Sequence, residues 1–189
     1  MLGHEEKREL LRIAREAIVN RLCNKPASAA STNLEALLKP RGAFVTLRIG
    51  GQLRGCIGHI ESSQPLAHVV AEVAEKAAVD DPRFVPLTIR EFEQTSIEIS
   101  ILSPLRQITN MEEIEVGVHG LLLEAASNRG LLLPQVAVEY KWNREQFLEA
   151  TAKKAGLDER AWQNADAKLF VFSAEIVEEA EATHGGKKT

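Results

Sequence analysis

Residues 43–60 read AFVTLRIGGQLRGCIGHI, two strand-like runs around a Gly-Gly pair. Ala43–Ile49 and Gln52–Ile60 are two strand-like runs, and Gly50-Gly51 between them is a hairpin signal. Pro65 follows at a favourable first position for a helix running to about Val79, with Leu66, Val69, Val70, Val73 and Ala77 along one side. Asp80-Asp81-Pro82-Arg83-Phe84 ends that helix, and Leu87-Thr88 leads into Ile89–Phe92. Ser96–Leu102 then alternates Ile97, Ile99 and Ile101 against Ser96, Glu98 and Ser100, the pattern of a half-buried strand. Upstream, residues 5–22 repeat Leu10, Leu11, Ala14, Ala17, Ile18 and Leu22 at helical spacing. Residues 24–33 read as a loop, and Leu34–Leu38 as a short helical turn before Pro40.

The second half echoes the first. Gly120–Leu123, the turn residues Ala125–Asn128 and Arg129-Gly130-Leu131-Leu132-Leu133 repeat strand, turn, strand, and Pro134 again opens a helix. Aligning Arg54-Gly55 with Arg129-Gly130 lands the Gly50-Gly51 turn on Ala125-Ala126 and Cys56 on Leu131, so the thiol has no counterpart. A helix over residues 144–155 carries Phe147, Leu148 and Ala152 on one face and stops at Gly156. Lys168–Val177 reads as one last strand. The expected organisation is a single domain over residues 1–177 with an N-terminal helix at 5–22, pseudo-repeats at about 43–105 and 116–177, and a flexible tail over 178–189. The repeat predicts that the strands carrying Cys56 and Leu131 share a sheet.

The 189 residues are 44% hydrophobic and 26% charged, ordinary values for a globular protein. No apolar run approaches the roughly 20 residues that span a membrane, and the charged N-terminus lacks the apolar stretch of a signal peptide. Two cysteines, Cys23 and Cys56, exclude a disulfide framework and point to a reducing cytoplasm. A net charge of −4 and 5% aromatic content argue against nucleic acid as a partner.

Within the hairpin, Leu53-Arg54-Gly55-Cys56-Ile57-Gly58 resembles the signature of the AMMECR domain family. So do Asp81-Pro82-Arg83-Phe84 with Pro86-Leu87, Glu98–Pro104, Gly117 with His119-Gly120-Leu121, Arg129–Gln135, and Trp142 with Phe147-Leu148 and Lys154–Leu157. These ordered matches cover residues 8–177. The resemblance implies an α+β fold with an antiparallel barrel-like sheet built from two strand-strand-strand-helix-helix repeats, flanked by helices. It also implies a modification pathway shared with Memo-like and radical S-adenosylmethionine proteins. It further implies a second cysteine before Lys154, where this chain has Thr151-Ala152, which leaves Cys56 as the thiol of the shared region.

Cys56 is the candidate nucleophile; the competing reading is a small apolar residue packed in a strand. Arg54 beside it favours the thiolate or binds an anion by its planar fork; alternatively it is salt-bridged to Glu98 or Asp81. Gly55 and Gly58 lack a Cβ and admit close approach by backbone or ligand. His119, between Gly117 and Gly120, is the candidate base, set against an ordinary surface histidine. His59, three positions from Cys56, faces the opposite side of the strand. Arg54, Gly55, Gly58, Asp81 and Glu98 form the candidate binding set. No paired zinc spacing occurs, no metal is expected, and no cofactor is indicated. Two functions fit: a cysteine-dependent enzyme acting on a small polar or anionic substrate, or a non-catalytic binding or adaptor module whose Leu53–Gly58 motif shapes a recognition pocket.

Overall fold

Glycine decides where helix meets strand in this protein. In the computed structural model, which describes residues 1–26, 30–125 and 127–179, a Cβ on Gly55 would lie 2.1 Å from the carbonyl oxygen of Ala77. A Cβ on Gly130 would lie 2.4 Å from the nitrogen of Ala155. At both places a helix backbone rests directly on a strand, a contact any side chain would prevent.

The chain divides into two compact units, residues 1–101 with the chain from Ile176, and residues 102–175. In the first, β1 (Ala43–Ile49) and β2 (Gln52–His59) form the hairpin, with Gly50 and Gly51 at positive φ in the turn. α1 (His4–Leu22), α2 (Glu35–Leu38), α3 (Leu66–Val79) and α4 (Ile89–Phe92) accompany them, and β3 (Thr95–Leu102) pairs antiparallel with β1. Leu10, Ile13 and Ile18 of α1 and Val69, Val70 and Val73 of α3 bury against Val45, Leu47, Ile97 and Ile99 of the sheet. Each buried valine or leucine contributes about 1.5–3 kcal/mol.

In the second unit, β4 (Arg106–Ile108), β5 (Gly120–Ala125), β6 (Asn128–Leu132) and β7 (Lys168–Phe172) make a second sheet, with α5 (Pro134–Glu139) and α6 (Arg144–Lys154). α6 starts on a reciprocal cap: Asn143 Oδ1 accepts from Gln146 N at 2.9 Å, and Gln146 Oε1 accepts from Asn143 N at 3.0 Å. Phe147 and Leu148 pack with Ile108, Ile114, Leu121 and Val171. The last strand, β8 (Ala174–Glu178), returns to the first sheet.

The sheet orders are β2-β1-β3-β8 and β4-β7-β5-β6. They correspond strand for strand, because each repeat runs strand, strand, helix, helix, strand, strand and gives its fourth strand to the other repeat's sheet. This corrects the expected strand-strand-strand-helix-helix order. The fold is mixed α and β with two antiparallel sheets, and among the described residues no closed barrel forms. The strands of Cys56 and Leu131 do not share a sheet: β2 edges the first and β6 the second.

Two sequence readings blur because of the exchange. β4 follows β3 after only Ser103-Pro104-Leu105, and the expected strand Lys168–Val177 is two strands broken at Ser173. Ser103 N donates to Ser173 O, and Ser173 N donates to Ser103 Oγ, both at 2.9 Å. These two serines, where the chain leaves one sheet for the other, satisfy each other's backbone. β8 is held at its end by Glu179, whose carboxylate takes Ile97 N at 3.1 Å and both Arg15 Nε at 2.8 Å and Nη2 at 2.5 Å. Residues 178 and 179, expected to fray, are thus bonded, while 180–189 lie outside the described residues.

Gly55→Ala is expected to cost roughly 3 kcal/mol, because the methyl meets helix backbone that cannot step aside. Urea denaturation checks this. A loss under about 0.5 kcal/mol, the usual surface value, would refute the close-contact reading.

Candidate functional site

The hexamer sits at the edge of the first sheet, where a strand has backbone groups without a neighbouring strand. Its alternation is broken. Leu47 pairs with Gly55 and Arg48 with Leu53, which leaves Arg54 as the extra residue of a bulge. The bulge re-aims Arg54. Its guanidinium lies 3.3 Å from Glu91 Oε1 through both Nε and Nη2, and 5.8 Å from the Phe84 ring centre. The ion pair is therefore with Glu91, and neither Glu98 nor Asp81 is the partner. Glu91 is itself the third residue of a capping box on α4. Its Oε2 accepts from Thr88 N at 2.9 Å and Thr88 Oγ1 at 2.8 Å.

Cys56 lies across from Thr46, which lies across from Glu98, so a thiol, a hydroxyl and a carboxylate share one row. Their neighbours Val45, Leu47, Ile97 and Ile99 point into the core with α3, so the row occupies the opposite face. His59 faces the helix, where Nε2 contacts Glu72 Oε1 at 3.2 Å, as the spacing predicts. Gly58 lies across from Phe44, and a Cβ there would sit 2.3 Å from the Phe44 ring. The space beside each glycine is filled by protein: the α3 backbone at Gly55, the aromatic ring at Gly58.

Both outward backbone groups of Cys56 are taken by side chains from the loop after α3. Cys56 N donates to Asp81 Oδ2 at 2.8 Å, and Arg83 Nη2 donates to Cys56 O at 3.2 Å. Asp81 and Arg83 bind each other twice more, Nε to Oδ1 at 2.9 Å and Nη2 to Oδ2 at 2.6 Å, and Arg83 N reaches Oδ1 at 3.1 Å. Asp81 is buried. The Arg83 hydrogen bonds, helped by the Cys56 and Arg83 backbone N–H groups, bring its carboxyl down to about 2 against the opposing effect of burial.

The Cys56 thiol is half-buried and accepts a hydrogen bond from Thr46 Oγ1 at 3.3 Å. Burial pushes its pKa up. The Thr46 hydroxyl and Arg83 charge act downward, and the carboxylates of Asp81 and Glu98 add to the rise. This is the reverse of the activation expected from Arg54. His119 is a residue of the second unit, where Nδ1 accepts from Glu115 N at 3.1 Å and closes its own turn. Thr151, at the place of the implied second cysteine, is buried and donates to Phe147 O at 2.7 Å.

Sequence reasoning missed four participants: Thr46, Arg83, Phe84 and Glu91. Two had a signal. Asp81-x-Arg83 puts an acid and a base two residues apart in a turn, and Thr88-x-x-Glu91 is the spelling of a capping box.

Fold and site together make this an α+β protein with two strand-exchanged sheets and an acid–arginine clamp on a Gly-Cys strand. The AMMECR1 family profile matches residues 11–177, and the chain belongs to that family. It is 39% identical over 186 residues to protein MK0488 of Methanopyrus kandleri, covering 94% of this chain and 90% of that one. An Aquifex aeolicus protein is 38% identical over 181 residues, covering 92% and 93%. The crystal structure of an uncharacterised protein, PH0010 from Pyrococcus horikoshii, superimposes with a TM-score of 0.90 at 37% identity, covering 94% and 93%. No helix among the described residues is long and apolar enough to cross a membrane.

Two measurements test the site. Asp81 has its folded pKa depressed from 3.8 to about 2, so its contribution is fully present above pH 4 and is lost as pH falls through about 2. Asp81→Asn should lower stability at pH 7 by about 2 kcal/mol and flatten the acid limb between pH 4 and 2; an unchanged limb rejects the clamp. Iodoacetamide should label exposed Cys23 faster than Cys56 at neutral pH. Faster labelling of Cys56 would restore it as a nucleophile.

Proposed function

We propose that the protein is a non-catalytic adaptor of the cytoplasm that recognises protein partners through residues 82–90. Its partners, on the family resemblance, are Memo-like and radical S-adenosylmethionine proteins. One observation carries this reading: the polar groups of the hexamer are spent on holding a loop that turns Val85 and Ile89 to solvent. Arg54 holds Glu91 and Phe84, the Cys56 backbone holds Asp81 and Arg83, and between these anchors Val85 is 75% exposed and Ile89 43%. Leu53, on the bulged strand, adds a third apolar side chain, 38% exposed. Anchored apolar side chains in water are what a docking surface offers.

The competing enzyme reading asks for a nucleophile. Burial, with two neighbouring carboxylates, shifts the thiol upward, away from the thiolate a nucleophile needs. In the adaptor reading, Arg54 and Asp81 anchor the loop, Gly55 seats α3 and Gly58 seats the Phe44 ring, and Glu98 stands in the row across from Thr46, instead of lining a substrate site.

The test is titration calorimetry of the full chain against the Memo-like and the radical S-adenosylmethionine proteins of the same organism. Val85→Asp with Ile89→Asp should weaken binding roughly ten-fold or more while leaving the melting temperature unchanged. Absence of wild-type binding to both proteins, or an affinity untouched by the double change, defeats the proposal.

A further inference from the structure

We draw no further inference here: the strongest candidate, the surface patch at the end of α5 in the second unit where exposed Val138 lies close in sequence to the stacked rings of Tyr140 and Trp142, carries nothing because nothing in the structure shows what covers it.

Discussion

The carboxylate of Asp81 is the group on which the edge of the first sheet depends. It accepts the Cys56 N–H that would otherwise face outward, and it holds the guanidinium that covers the Cys56 carbonyl. An edge strand left with those groups unpaired is a template for association with another chain. Here one short turn closes the edge at its most polar point. Because Asp81 is buried, the arrangement tolerates no half measure: an unpaired carboxylate there would carry its full desolvation cost.

That clamp changes the meaning of the hexamer. A cysteine beside an arginine and between glycines suggests an activated thiol, yet each feature has a separate structural task. The glycines admit the α3 backbone and the Phe44 ring. The arginine is bulged out of the ladder and turned to Glu91. Burial and two carboxylates push the thiol's pKa up, against the activation the motif suggests. The motif is a joint between strand, helix and loop, and the loop is the element it offers to solvent.

The strand exchange imposes a second constraint. Each sheet takes three strands from one repeat and its fourth from the other, so β8 must reach β3 before the first sheet is complete. Ser103 and Ser173 mark the two exits, and Glu179 with Arg15 secures the final strand against α1. Closing a sheet with the last residues of the chain is a long-range contact, costly in loop entropy.

The sequence by itself determined the local elements. The Gly50-Gly51 hairpin, the helix after Pro65, the alternation of Ile97, Ile99 and Ile101, and the helical stop at Gly156 all rest on neighbours in the chain, so period and turn chemistry reveal them. The repeat was legible too, because Gly55 and Gly130 recur at the same place for the same packing reason. Family membership followed from ordered motifs. Which sheet each strand joins was not legible. β4 is three residues long, and the break at Ser173 interrupts no hydrophobic pattern, since β7 and β8 are each apolar enough to continue. The site divides the same way. Cys56, Arg54 and Asp81 were visible as residue types. The bulge that redirects Arg54, the row of Thr46 and Glu98 beside the thiol, and the Glu91 partner came only from pairing across strands and loops. Hydrogen-bond register and charge proximity are properties of chain segments brought together in space, and a one-dimensional pattern does not carry them.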